Sequence, residues 1–345
     1  MAEEYRGPAQ DDLAWCYDTV EDISRTFALT IAELEAPMSG EICTGYLLCR
    51  IADTIEDATH VAPADQSRLL RTYSQALDPG DETTIEAFRT AVDPYIPADH
   101  DDDWGVVADA QRVVATFRDL PAASRAVIRP SVRELTDGMA TFVDRYAAAG
   151  GLRIQTIEEL EEYCWYVAGT IGSFVTELLI EDVPPDQRDA FEDNATAFSR
   201  LLQLVNVTRD IASDYREEDN VYVPAALLAE HGLTADDIAD IENAEAFVPV
   251  VSALADRAER YLDDTQAWIE AMPETRGNSL AAWAIPFLLA VGTLRELKTR
   301  PAAVLKGDVK VSRAEVYALL EQFADDSDPS LTALRREMRA GSLKT

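Results

Sequence analysis

The chain has 345 residues, enough for one large domain or two ordinary ones, and its 47% apolar content is that of a folded protein and not of a disordered one. Acidic residues outnumber basic ones 64 to 30, and a formal net charge of −34 excludes nucleic-acid binding through a broad basic face. The only lysines are Lys298, Lys306, Lys310 and Lys344, and an acid-rich, lysine-poor surface suits a cytoplasm of high salt, where the screening length falls to about 3 Å at 1 M; the source is read as halophilic.

The N-terminal stretch 1–12 is acidic and polar, without the basic start and apolar core of a signal peptide, so a cytoplasmic protein is expected. Cys16, Cys43, Cys49 and Cys164 show no paired metal-ligand spacing and read as reduced core residues. His60, His100 and His231 all stand in polar, loop-like stretches, which argues against a histidine zinc site or a Ser, His, Asp triad.

Helical periodicity runs through nearly the whole chain, with breaks expected at 63–65, 78–81, 93–104, 184–187, 273–278 and 325–329. None of these breaks has the length or low complexity of an interdomain linker, so a single helical domain over residues 1–345 is predicted. The first helix carries Ser24, Arg25, Thr26 and Phe27, where Arg25 among Ile23, Phe27, Leu29 and Ile31 either snorkels to solvent or reaches for an anion.

In the stretch 49–57, a helix places Asp53 and Asp57 four residues apart on one face, with Arg50 one turn before Asp53. Gly45, Tyr46, Leu47, Leu48 and Ile51 make the rest of that helix apolar, and two carboxylates in such a setting need a counter-charge. Mg2+, which is typically held by one or two carboxylates plus substrate phosphates, would supply it; a solvated acidic face is the plainer alternative.

Between these acids and their second copy, a long helix from Glu158 contains Gly169 and Gly172, which are costly in a helix interior. Either a neighbouring helix or a bulky apolar ligand approaches closely there, and Tyr163 or Tyr166 could move a proton in an otherwise apolar site. The acid device then recurs at 203–214: Asp210 and Asp214 lie four apart beside Arg209, and Gln203, Asn206 and Asp210 draw a polar stripe through the apolar run of Leu201, Leu202, Leu204, Val205 and Val207. Two such pairs on apolar helices point to a diphosphate and Mg2+ site between facing helices.

The charge-free run 277–294 contains Asn278, Ser279, Pro286 and Thr293 and reads as a buried core helix, not a membrane span. Beyond it, three of the four lysines fall between 298 and 310, which fits either a bound phosphate or an exposed loop.

These residues resemble the squalene and phytoene synthase family of head-to-head prenyl transferases, and within it the squalene synthase branch. The likeness covers 24–34, 46–57, 137–146, 163–172, 201–214 and 283–313, in the family's order and spacing. It implies an all-α isoprenoid synthase fold, a single large helical bundle with a central cavity, in a halophilic archaeal member. Two molecules of farnesyl diphosphate would bind, their diphosphates held through Mg2+ by Asp53, Asp57, Asp210 and Asp214. Ser24, Arg25, Phe27, Arg50, Gln203, Asn206 and Arg209 would contact substrate, with Arg50 and Arg209 stabilising the leaving diphosphate and Tyr163 taking part in proton transfer. Asn206, Lys306, Lys310 and Arg313 would contact NADPH. The implied reaction joins two farnesyl diphosphates into presqualene diphosphate and then reduces it to squalene.

Within the family, phytoene and dehydrosqualene synthases omit the reduction, and their first motif reads Asp, Glu, Leu, Val, Asp. The run Asp53, Thr54, Ile55, Glu56, Asp57 is closer to the squalene synthase form, as is 306–313. Three departures stand out. Ile211, Ala212 and Ser213 replace the family's Tyr, Leu, Glu, removing an inner acid; Ser312 replaces an arginine; and the sequence ends at Thr345 without a C-terminal anchor, so membrane contact is expected to be peripheral, for release of an insoluble product.

Overall fold

Residues 10–324 and 329–343 are described by a computed structural model. Most of the predicted break at 325–329, most of the N-terminal stretch read above for a leader, and the last two residues lie outside them. The all-α expectation holds: every named element is helical, and β pairing among the described residues amounts to one isolated bridge between Arg153 and Val221. Backbone contacts group the chain into two compact units, residues 10–150, 173–183 and 273–279 in the first and 151–172, 184–272, 280–324 and 329–343 in the second.

The first unit opens with α1 (Gln10–Ile23) and α2 (Arg25–Ala32), so the segment expected on the first helix begins the second. Ser24 separates them as the N-cap of α2, its hydroxyl accepting the Phe27 N–H at 3.3 Å. The unit is built around α3 (Met38–Glu56), in which sixteen of nineteen residues are buried, as a helix apolar on nearly every face must be. Around it lie α4 (Pro63–Leu77), α5 (Ile85–Val92), α6 (Asp102–Ala108), α7 (Ala110–Asp119) and α8 (Ala122–Tyr146). The predicted break at 63–65 is instead the first turn of α4, where Pro63 forfeits an N–H that has no helical partner. The break at 93–104 also ends early: Asp101 caps α6 by accepting the Trp104 N–H at 3.0 Å, and Asp102 and Asp103 fall in its first turn, where negative charge suits the helix dipole.

In the second unit α9 (Ile157–Cys164) continues through a π turn at Trp165–Gly169 into α10 (Thr170–Leu179), whose residues from Ser173 onward belong to the first unit. There follow α11 (Arg188–Asp193), α12 (Ala197–Arg209), α13 (Ile211–Ser213), a second π turn at Asp214–Glu218, α14 (Ala225–Glu230), α15 (Val248–Glu259), α16 (Leu262–Glu270), α17 (Leu280–Thr299), α18 (Arg313–Phe323) and α19 (Leu331–Ala340). Its core centres on Trp268, fully buried, with Phe191 and Phe198 stacked on it and Trp283 edge-on.

Two helical runs, Ile157–Asp182 and Leu280–Thr299, are long and apolar enough to cross a membrane; 61% and 67% of their apolar windows are buried inside the fold, as in core helices. The four cysteines are buried free thiols, as expected, and burial pushes Cys16 up to about 11 and Cys164 to about 12.

Gly169 in the π turn and Gly172 in α10 have steric reasons. A methyl at Gly169 would stand 2.7 Å from the Trp165 ring, and one at Gly172 would stand 2.4 Å from the Ala195 carbonyl oxygen and 2.7 Å from the Ser199 hydroxyl. For Gly172 this settles the choice in favour of close packing. Gly172→Ala is therefore expected to destabilise the protein by about 1–3 kcal/mol in urea melts, because a backbone atom must move. A stability change near zero, with the loss confined to substrate affinity, would favour the ligand reading instead.

Candidate functional site

In the first unit, the residues of α3 that are not buried are Tyr46, Arg50 and Asp53, followed one turn later by the C-cap Asp57. The spacing of four, three and four residues draws one stripe along a helix that is otherwise core. Asp57 keeps its backbone in register, its N–H donating to the Asp53 carbonyl at 3.0 Å. The motif is held from α4: the buried Gln66 amide lies 3.1, 2.7 and 3.1 Å from the carbonyl oxygens of Ile55, Glu56 and Ala58, tying down carbonyls that a helix end leaves without partners.

Arg50 donates to both carboxylate oxygens of Asp103 on α6, at 2.7 and 2.8 Å. A fork of this kind fixes the guanidinium plane. Burial pushes the Asp53 carboxyl up to about 6, with Arg50 opposing and Asp103 adding to the rise. Above the stripe, Phe27 stacks on Tyr46 with ring centroids 4.0 Å apart, and burial pushes the Tyr46 hydroxyl up, with Arg50 and Ser24 opposing. Arg25 is exposed and makes no ion pair among the described residues.

In the second unit, Gln203, Asn206 and Arg209 occupy the non-buried side of α12, as the spacing predicts. The helix breaks at Asp210, whose carboxylate is gripped by the adjacent Arg209, with Nε donating to Oδ1 at 2.7 Å; the Asp214 N–H still reaches the Asp210 carbonyl at 2.9 Å. Asp214 opens the π turn, a device common at functional sites. Its carboxyl is pushed up to about 8 by burial first and then by Glu218, Asp210 and Glu217, with Arg209 opposing. Glu218 thus brings to Asp214 an acid that the second motif lacks between its aspartates.

Tyr163 is buried and stacks on Tyr222, centroids 5.0 Å apart and hydroxyls at 3.3 Å. Tyr222 accepts from the Asn220 side-chain Nδ2 at 3.2 Å, and the Asn220 side-chain Oδ1 accepts the Leu152 N–H at 2.9 Å. The positively twisted Asp219, φ 55°, is clamped by Arg153 and lets the segment turn beneath Gly151.

Further along the second unit, Lys298 pairs with Asp256 and Glu259, which favours the plain exposed-surface reading for that lysine. Lys306, Lys310 and Arg313 are exposed and free of ion pairs among the described residues. Ser312, standing where the family has an arginine, is the N-cap of α18 in a reciprocal box with Glu315.

Carboxylates crowded onto Asp53 and Asp214 are hard oxygen donors in want of a cation, and they fit Mg2+. Among the described residues no three such donors converge into a ready-made cage, so substrate phosphate would have to complete the metal's shell. Lys306, Lys310 and Arg313 carry the positive charge, and Asn206 the neutral amide, that a phosphorylated cofactor would call on.

Sequence reasoning missed Asp103, Gln66, Asn220, Tyr222 and Glu218. Tyr46 could have been found, since it stands one turn before Arg50.

Residues 20–315 match the family model for squalene/phytoene synthase. Over 335 residues the chain is 27% identical to the Botryococcus squalene synthase of Botryococcus braunii, covering 96% of this chain and 67% of that one. Over 320 residues it is 25% identical to presqualene diphosphate synthase of the same organism, covering 91% and 73%. The solved structure of TcSQS with a ligand superposes with a TM-score of 0.75 at 19% identity, over 97% of this chain and 98% of that one, and shows the isoprenoid synthase fold. With the match running through both acid motifs and both units, the chain belongs to the squalene/phytoene synthase family.

Proposed function

We propose that the chain condenses two molecules of farnesyl diphosphate head to head into presqualene diphosphate and reduces that intermediate to squalene with NADPH. The observation that carries the reading is the stripe of Tyr46, Arg50, Asp53 and Asp57 on an otherwise buried helix. Acids at such positions cost stability unless they are used. The names of the two Botryococcus braunii relatives, which speak of squalene and of presqualene diphosphate, support it.

Mg2+ held by Asp53, Asp57, Asp210 and Asp214 would neutralise the leaving diphosphate, and NADPH would supply hydride to the second half-reaction. Arg50, fixed by Asp103, and Arg209 offer diphosphate planar donors that need no reorganisation during ionisation. Phe27 stacked on Tyr46 presents aromatic surface beside Arg50, where a carbocation gains stabilisation that water would destroy. The Tyr163 hydroxyl, paired with that of Tyr222, would pass a proton without admitting solvent. Asn206 with Lys306, Lys310 and Arg313 would hold the nicotinamide cofactor.

Product analysis in high-salt buffer with Mg2+, with and without NADPH, tests this. Squalene formed only with NADPH, and presqualene diphosphate without it, is the expected result. Dehydrosqualene in both cases would make the protein a synthase without the reductive step, and no consumption of farnesyl or geranylgeranyl diphosphate would make it a non-catalytic relative.

The acids also set a pH dependence. Because Asp53 is raised to about 6 and Asp214 to about 8, both hold protons at low pH that a cation must displace. Binding of Mg2+ with inorganic diphosphate is therefore expected to strengthen from pH 5 to pH 9 and to release protons, measured by calorimetry in buffers of different ionisation enthalpy. Affinity that is flat across this range would contradict metal binding at these carboxylates.

A further inference from the structure

The first unit holds a second concentration of charge, with no part in the chemistry above. Arg125, Arg129 and Arg133 recur every four residues along α8, and Arg118 joins them from the end of α7. Like charges so spaced repel one another. Arg133 is compensated, pairing with Asp78 at 2.9 Å and donating to the Ser74 carbonyl, and Arg125 has a neutral acceptor in the Arg118 carbonyl.

Arg129 is not compensated. Its guanidinium lies over the Phe117 ring, 5.3 Å from the centroid, and its Nε is buried without a hydrogen-bond partner among the described residues. With Arg118 it lines a cavity of about 500 Å³ whose other walls include Leu77, Val114 and Thr84, the N-cap of α5. Four acids also border the cavity. Asp78 is taken by Arg133 and the Gly80 N–H, Asp81 accepts the Thr83 N–H at 2.8 Å, and Glu82 and Glu86 are exposed to solvent. Burial first, and then Arg125, Arg118 and Arg133, hold the Arg129 guanidinium below its ordinary range, with Asp78 opposing.

We propose that this cavity binds a phosphate-type oxyanion, free or as the headgroup of a lipid, on the guanidiniums of Arg129 and Arg118. A planar guanidinium matches the paired oxygens of such an anion, and the Phe117 ring against which it lies helps to fix its plane. The cavity is not the acid stripe under another name. It sits at the Leu77 end of α4, about 20 Å of helix rise from Pro63, the end of α4 nearer in sequence to Asp57.

Hydrogen exchange of the full chain in Mg2+-free buffer, titrated with inorganic phosphate, tests the free anion, and sedimentation with phosphatidylglycerol vesicles tests the headgroup. Saturable protection of 76–86 and 114–129, unchanged in Asp53→Asn and weakened about tenfold to a hundredfold in Arg129→Gln, is the expected result for a free anion. Vesicle binding weakened to the same extent, without protection by phosphate, assigns the headgroup. Arg118→Gln, at an exposed position, stands in if Arg129→Gln fails to fold. No binding in either arm, or binding that both substitutions leave unchanged, overturns the proposal.

Discussion

Asp53→Asn is expected to lower turnover about a thousandfold while raising the melting temperature of the metal-free protein at pH 8. The two effects have one cause. Asp53 lies on a helix that is otherwise core, and burial lifts its carboxyl from 3.8 to about 6. A folded-state value above the unfolded one means that the group's stabilising contribution is full below about pH 4 and is lost as pH rises through about 6. Above that, holding the charged form costs the folded state about 3 kcal/mol, which Asn avoids. The stability gain should therefore vanish at pH 4, and it should reverse when Mg2+ and inorganic diphosphate are added, because only the wild-type carboxylate gains from the cation. Turnover measured with farnesyl diphosphate, alongside melts at the two pH values, checks both halves. Unchanged turnover would sink the assignment of Asp53 as a metal ligand.

The reach of the sequence can be judged on this same helix. The spacing of Arg50, Asp53 and Asp57 was legible because helical periodicity alone puts them on one face, and the apolar residues between them announced burial. Asp103 was not legible, because nothing local distinguishes it from Asp101 and Asp102. Only the cap made by Asp101, which starts α6 one turn earlier than the composition implies, aims Asp103 at Arg50. The same limit applies to Tyr222 and Asn220, which reach Tyr163 through the pairing of 152–154 with 220–221, contacts 59 and 68 residues apart in sequence. The substitution of Ile211, Ala212 and Ser213 read as the loss of an acid. The π turn at Asp214–Glu218 carries Glu218 back to Asp214, and no helical-period argument anticipates a turn of that width.

Arg276→Ala is expected to destabilise the first unit by about 3–5 kcal/mol, and Glu41→Ala by clearly less, although each removes one half of the same pair. The Glu41 carboxylate is fully buried inside α3, accepting from Arg276 at 2.6 Å and from the Ser124 hydroxyl. The Arg276 side chain keeps 32% of its exposure. Removing Glu41 leaves a side chain that keeps a third of its exposure, so water replaces part of the lost pair even though the Arg276 Nε is itself buried without a partner among the described residues. Removing Arg276 strands a carboxylate with no water and one neutral donor, and one of its oxygens already lacks a partner. A backbone effect bears on the arginine as well. Arg276 sits at φ 54°, a conformation unfavourable for any residue with a Cβ, and its carbonyl and that of Gly277 accept the N–H groups of Met38 and Glu35 at the start of α3. Alanine keeps the strain and loses the ion pair, whereas Arg276→Gly should recover about 1 kcal/mol of the loss. Urea melts of the three single variants and of the Glu41→Ala, Arg276→Ala double variant give the comparison. A double variant more stable than Arg276→Ala alone would confirm that the stranded carboxylate carries the cost, and equal losses for the two single alanine variants would refute the asymmetry.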